Sequence, residues 1–212
     1  MATIIRVSLF VRFLLVIFSS HAGCTQNFVT SLGRNASEYA VGALPNAAFL
    51  HKSWAGPILV PNTTNDELFF WLFQAETETE NLISARVHRR CDRPADKTLV
   101  WLNGGPGCSS LDGLTKENGP LHFAGNQSIP SANPYSWNKL ANVLYIDQPI
   151  GTGFASGNDP ATTNAIATQD FIGWLKAFYD VFPGLLSQNT HLMGESYAGI
   201  YVSLRALFER WN

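Results

Sequence analysis

Two stretches of the sequence hold residue types able to do chemistry together. The first is Leu192-Met193-Gly194-Glu195-Ser196-Tyr197-Ala198-Gly199, where a short apolar strand pattern meets a serine and a helix pattern follows. A serine at such a junction sits on a tight elbow that lifts its hydroxyl clear of the backbone, ready to attack a carbonyl carbon. Gly194 stands two residues before the serine, as a G-x-S-x-G elbow needs, but Ala198 replaces the second glycine and Gly199 comes one residue later. Alone, the window fits an ordinary glycine-rich turn equally well. The second stretch is Trp101-Leu102-Asn103-Gly104-Gly105-Pro106-Gly107-Cys108-Ser109-Ser110. Glycines after a strand leave backbone N–H groups uncovered. Beside a serine elbow such a loop supplies half of an oxyanion hole, and the residue after the nucleophile supplies the other half. A plain Gly/Pro turn is the bland alternative. A phosphate cradle is a third, but no Gly-Lys-Ser/Thr ending follows to grip a nucleotide.

The elements that must position these residues are legible as alternating patterns. Residues 56–61 (GPILVP) form a short apolar run closed by proline, 62–66 a polar turn, and 67–74 (ELFFWLFQ) an aromatic-rich run, which predicts a hairpin. Residues 76–97 are polar and read as a surface loop, with an amphipathic helix as the alternative. Residues 98–102 (TLVWL) and 142–146 (NVLYI) are strand-like and run into the Gly-rich loop and into Asp147-Gln148-Pro149. Ile166, Phe171, Trp174, Leu175, Phe178 and Phe182 recur at helical spacing, and Pro183-Gly184 closes that predicted helix. Residues 190–193 read as a last strand. Residues 197–211 read as a helix with Ile200, Leu204, Leu207 and Phe208 on one side. This order predicts an α/β fold with a mainly parallel sheet.

The chain has 212 residues, 46% hydrophobic, with a net charge of −2. One globular domain is the expectation, and near-neutrality gives no electrostatic reason to expect nucleic acid as a partner. Arg6 and Arg12, an apolar run over 13–18 and the small residues around His21 read as a signal peptide over 1–22, leaving 23–212 as the domain. A membrane anchor is the alternative, but the run is too short and too interrupted for a stable membrane span. Sequons at Asn35, Asn62 and Asn126 agree with a secretory route, to the outside or to a vacuole or lysosome. The three cysteines, Cys24, Cys91 and Cys108, leave one without an intramolecular partner. No metal or cofactor is implied, since H-E-x-x-H, paired C-x-x-C and a complete dinucleotide fingerprint are all lacking.

Three further windows join the first two: Glu117-Asn118-Gly119-Pro120, Asn133-Pro134-Tyr135-Ser136-Trp137 and Asp147-Gln148-Pro149-Ile150-Gly151-Thr152-Gly153-Phe154. The five together resemble the serine carboxypeptidase family, relatives of carboxypeptidase Y and the Kex1-type processing enzymes, from about Tyr39 to the last residue. The resemblance implies an α/β-hydrolase fold, incomplete here because strands after the nucleophile helix are missing. It implies release of C-terminal residues from peptides by an acyl-enzyme route. Ser196 would be the nucleophile, and the N–H groups of Gly105 and Tyr197 the oxyanion hole. Asn103, Glu117 and Glu195 would bind the substrate's terminal carboxylate, with Trp101 positioning that network. A carboxylate beside two glutamates requires shared protons, so binding should favour acidic pH. Asp112 would line the pocket for the departing residue and favour Lys or Arg there, unless Lys116, one turn away, cancels its charge. The resemblance also implies a downstream disulfide partner for Cys108, absent from this sequence.

The triad is where the sequence departs from the pattern. A catalytic serine needs a histidine base and an orienting acid, in the chain order Ser, Asp/Glu, His in this fold. Tyr197 to Asn212 contain neither Asp nor His. His21, His51, His88, His122 and His191 all precede the serine, and none is placed by the sequence to act as base. The chain alone is therefore expected to fold poorly and to hydrolyse nothing at a useful rate. The alternative function is a truncated, non-catalytic relative that binds peptide C termini or a partner protein.

Overall fold

The computed structural model describes residues 18–20, 36–47, 50, 52–76, 96–125 and 127–209, with residues 18–20 and 205–209 described by their backbone alone. Most of the predicted loop at 76–97, and the positions of Asn35, Asn126, Cys24 and Cys91, lie outside the described residues.

The two apolar runs after residue 50 form the predicted hairpin. Strand β2 (Ser53–Leu59) pairs antiparallel with β3 (Glu67–Phe73), with Gly56 opposite Phe70. β2 begins three residues before the apolar run GPILVP, because Ser53 and Trp54 find partners in Phe73 and Leu72. The remaining strands are β1 (Phe18–Ser20), β4 (Lys97–Leu102), β7 (Asn142–Asp147) and β8 (Asn189–Gly194), with a small separate pair, β5 (Leu121–His122) and β6 (Ser131–Ala132). The main sheet runs β1-β8-β4-β7-β3-β2.

This sheet is mixed rather than mainly parallel. Only β4 with β7 and β4 with β8 pair in parallel, while the hairpin and β1 attach antiparallel. The sequence pattern reports crossovers through helices but not the direction in which a flanking hairpin joins. The edge of β8 is also not wholly open, since Phe18–Ser20, in the segment expected to be a signal peptide, pairs with Thr190–Leu192.

Period-two alternation divides the side chains between two cores. Leu68, Phe70, Leu72, Val100, Leu102, Leu144 and Ile146 face the helices. Phe73, Leu99, Trp101, Val143 and Tyr145 face the opposite side, against Leu114. β7 is buried along its whole length, as a central strand covered on both faces must be.

Helix α1 (Asn164–Val181) starts at Thr163, whose hydroxyl accepts the Ile166 N–H at 3.2 Å, a standard N-cap. Its buried stripe is Ala167, Phe171, Trp174, Phe178 and Val181, and Ile166, the first of the apolar residues at helical spacing, lies exposed in the first turn. Pro183-Gly184 does not simply end the helix. Pro183 opens a second short helix, α2 (Pro183–Leu186), in the first-turn position where a missing N–H costs nothing. Helix α3 (Ala198–Glu209) buries Ala198, Tyr201 and Val202. Ile200, from the apolar side read in the sequence, is exposed, while Ala198 at the elbow is fully buried.

Candidate active site

The site lies at the carboxyl ends of the three parallel strands, where ligand sites form in open α/β sheets. β8 delivers Gly194 and α3 starts at Ala198, so Glu195, Ser196 and Tyr197 make the entire turn. Ser196 sits there at φ +54° and is exposed. A non-glycine residue in this region is strained and held by its surroundings. The turn is held by Glu195 N–H donating to Leu102 O at 3.2 Å and by Ala198 N–H donating to Glu195 O at 2.9 Å. Gly194 has no alternative: a Cβ there would lie 2.6 Å from Ala198 Cβ and 2.8 Å from Leu102 O. Alanine at 198, the departure from the strict elbow pattern, occupies the space that Gly194 leaves.

The Gly-rich loop reaches the same point from β4. A Cβ on Gly104 would lie 2.6 Å from Tyr197 N and 3.0 Å from Ser196 Cβ, so the loop backbone rests directly on the elbow. Gly105 follows at φ +109°. Among the described residues neither the Gly105 nor the Tyr197 N–H has an acceptor within the protein. Tyr197 is tied to the start of α1, its hydroxyl donating to Asn164 Oδ1 at 3.3 Å and accepting from Asn164 Nδ2 at 3.0 Å.

All four residues expected in the carboxylate-binding network, Trp101, Asn103, Glu117 and Glu195, come together. Trp101 Nε1 donates to Asn103 Oδ1 at 2.7 Å, which fixes the amide so that its NH₂ faces the two glutamates. Asn103 Nδ2 then donates to Glu195 Oε1 at 2.9 Å and to Glu117 Oε1 at 3.2 Å. Trp101 and Asn103 are buried, while Glu117 keeps one side open to solvent. Loss of water on its other side, and then the charge of Glu195, push the Glu117 carboxyl above its ordinary pKa. The hydrogen bond from Asn103 works the other way, favouring the charged form of Glu117, but is outweighed.

The segment carrying Glu117 is wound as a π-helix, Gly113–Glu117, a form often found at functional sites. Sequence reasoning missed what holds it. Gly113 N–H donates to Asn103 Oδ1 at 3.2 Å, and a Cβ at 113 would lie 2.2 Å from Trp101 Nε1. Tyr145 hydroxyl donates to Asn118 Oδ1 at 2.9 Å, anchoring the residue after Glu117 to β7. The signal was available in Glu117-Asn118-Gly119-Pro120, where Asn118 stands next to the glutamate but carried no assigned role.

Asp112 and Lys116 do not form a buried acid pocket. Lys116 Nζ lies 2.6 Å from Asp112 Oδ1, and both side chains are at least half exposed. The cancelling pair is therefore formed, and the charge offered to a basic residue is largely satisfied. Cys108 is an exposed free thiol among the described residues. Asn62 lies exposed in the β2–β3 turn at φ +65°, a conformation asparagine tolerates better than most. Of the histidines, His122 lies in β5, and His191 lies within β8, upstream of the elbow. Among the described residues no side chain hydrogen-bonds the Ser196 hydroxyl.

A positive-φ serine between a parallel strand and a helix, with a glycine loop laid against it, has the elbow geometry of the α/β-hydrolase fold. The sequence profile of the serine carboxypeptidases matches residues 45–206, and the chain belongs to that family. It is 46% identical over 168 residues to a carboxypeptidase Y homolog of Arthroderma benhamiae, covering 78% of this chain and 30% of that protein. It is 40% identical over 148 residues to the pheromone-processing carboxypeptidase KEX1 of Ogataea parapolymorpha, covering 70% and 23%. The crystal structure of Kex1(delta)p, a prohormone-processing carboxypeptidase from Saccharomyces cerevisiae, superposes with a TM-score of 0.67 at 29% identity, covering 82% of this chain and 38% of that one. The chain thus spans less than two fifths of the length of these relatives.

Proposed function

We propose that the chain supplies the nucleophile, the oxyanion hole and the terminal-carboxylate reader of a serine carboxypeptidase that releases C-terminal residues from peptides through an acyl-enzyme. The observation that carries this reading is Asn103 held between Trp101, Glu117 and Glu195 beside Ser196. An exopeptidase must recognise a chain end, and a protonated Glu117 can donate a hydrogen bond to a carboxylate while the Asn103 amide, whose two N–H groups go to Glu195 and Glu117, holds both glutamates in place. Ser196 Oγ attacks the scissile carbonyl carbon, and its proton passes to a base. The negative oxygen that forms is received by the Gly105 and Tyr197 N–H groups. As that oxygen reforms the carbonyl, the scissile C–N bond breaks, the departing C-terminal residue takes the proton from the base on its amine, and the rest of the peptide stays as an ester on Ser196. Water, giving a proton to the same base, then breaks the ester, which frees the shortened peptide as an acid and returns the proton to Ser196 Oγ. Tyr197–Asn212 hold no histidine and no aspartate, and their one acid is Glu209, so turnover requires a further segment that carries the base. The signal-like residues 1–22 and the exposed sequon at Asn62 support a secretory route.

The test joins residues 23–212 to the part of the Arthroderma benhamiae carboxypeptidase Y homolog beyond its matched stretch. This hybrid is expected to release the C-terminal residue of a blocked dipeptide at pH 4–6, whereas residues 23–212 alone give none. A hybrid that binds blocked dipeptides without cleaving them favours the non-catalytic alternative. The pH dependence follows from the raised Glu117 pKa. Below that pKa Glu117 carries the proton it shares with the ligand carboxylate. Above it, two like charges face each other. Affinity for a free-carboxylate peptide therefore falls as pH rises through the Glu117 pKa, by up to about tenfold per pH unit for one linked proton. Glu117→Gln, a donor at every pH, flattens that profile, and the C-terminal amide of the same peptide shows no such slope. A free-acid peptide whose affinity is level from pH 4 to 7 would sink the role of Glu117.

A further inference from the structure

Asp147 ends β7 with no exposed surface, yet it carries a carboxylate that two separate loops hold. Its Oδ1 accepts the Ser109 hydroxyl at 2.7 Å and the Ser110 N–H at 2.8 Å, both from the Gly-rich loop. Its Oδ2 accepts the Phe154 N–H at 2.9 Å from the loop after β7. Gly153, at φ +56°, lies so close that a Cβ there would be 2.1 Å from Oδ2. The neighbours continue the tie. Ser109 Oγ accepts the Leu111 N–H at 3.2 Å, while the Ser110 hydroxyl donates to Ile146 O at 2.6 Å and accepts the Asn103 N–H at 3.1 Å. One carboxylate thus spans the base of the loop that carries Gly105 and Asn103.

Burying a carboxylate among neutral donors is costly, and among the described residues no cation pairs with Asp147. Burial pushes its carboxyl pKa up, and the donors from Phe154, Ser109, Ser110 and Leu111 pull it back. An apolar residue would fill the same space at lower cost, but it could not fasten two loops to each other. The Gly105 N–H must be aimed at an oxygen that appears only during reaction, and an error of about 1 Å there costs about a hundredfold in rate. We propose that Asp147 is a positioning residue for the oxyanion hole: it locks the 103–112 loop against the 147–154 loop so that the Gly105 N–H stays aimed at the carbonyl attacked by Ser196. It touches no substrate. This rests on Ser196 being the nucleophile.

The test has two arms. In the full 212-residue chain, hydrogen exchange read by mass spectrometry follows peptides covering 103–112 and 53–73. Asp147→Asn turns a donor toward the Phe154 N–H, and Ser109→Ala removes the hydroxyl that donates to Asp147 and accepts the Leu111 N–H, with little change in packing. Both are expected to speed exchange at least about fivefold in 103–112 while leaving the β2–β3 hairpin within about twofold. In the hybrid enzyme, both are expected to lower kcat by about tenfold or more with KM within about twofold, counted per serine labelled by a phosphonate inhibitor. The proposal is overturned if exchange in 103–112 is unchanged or rises equally everywhere. It is equally overturned if that segment already exchanges like an unfolded peptide in the parent, or if kcat per labelled serine stays within about twofold. A parent hybrid without turnover would defeat the carboxypeptidase reading instead, and the exchange arm alone would then decide whether Asp147 fastens the loop.

Discussion

Ser196→Ala in the hybrid enzyme is expected to lower kcat by at least about four orders of magnitude, while leaving affinity for blocked dipeptides within about threefold. The size follows from what is removed. Without Oγ no acyl-enzyme forms, and only the oxyanion donors and the bound geometry remain to help water attack directly. Binding survives because Asn103, Glu117 and Glu195 are fastened to one another and to Trp101 rather than to the serine. The fold survives because alanine must take the same φ of +54° at a cost similar to that of serine. Progress curves with a blocked dipeptide, together with mass detection of a phosphonate adduct, read the outcome. Turnover that persists, or an adduct on another residue, removes Ser196 from the mechanism.

Trp174→Ala is expected to cost about 3–5 kcal/mol of folding stability, the usual loss on emptying a large aromatic site. Trp174 is fully buried, and its ring lies 5.3 Å from Phe178, 6.2 Å from Phe70 and 6.3 Å from Phe171 between centroids. Its Nε1 donates to Leu68 O at 3.1 Å, so one side chain joins α1 to β3 by both packing and a hydrogen bond. Since domains retain only about 5–15 kcal/mol of net stability, this single change removes a large share. Urea titration followed by circular dichroism measures it. Trp174→Phe should lose less, about 1–3 kcal/mol for the unfilled volume and the missing bond. A midpoint that moves little in Trp174→Ala would mean that α1 is not docked on the sheet through this residue.

Much of this site was legible because its parts are local in sequence. The elbow needs only Gly194, Ser196 and a following helix, and the windows at 101–110, 117–120 and 147–154 each belong to one strand end. The hairpin and the strands of β4, β7 and β8 followed from short runs with clear ends. Other features depend on contacts between distant segments. Nothing in the local pattern shows that β3 joins β7 antiparallel, so the sheet turned out mixed. Ile166 and Ile200 have the right spacing for a core, but where α1 and α3 are cut relative to the sheet leaves both outside. Asp147 is read from its run as the end of a strand. Its bonds to Ser109 and Ser110 span 38 and 37 residues, and only the fold brings them together. The Asp112–Lys116 pair was foreseeable from i, i+4 spacing, but its exposure was not.

The strand order also fixes a timetable for synthesis. β4 finishes at Leu102, but its two partners are β7, ending at Asp147, and β8, ending at Gly194. Both edges of the apolar run KTLVWL therefore stay unsatisfied while the next forty residues are made, and one edge stays so for nearly fifty more. Parallel pairings of this kind close long loops before any contact repays them, and the waiting edge is open to other chains. The β2–β3 hairpin, complete by Phe73, can form much earlier but has no sheet to join until β7 is made. The strand that leads into Ser196 is thus also the last to close the sheet's centre, so a ribosome stalled before Gly194 releases a chain with β4 exposed, prone to capture by chaperones or to aggregation.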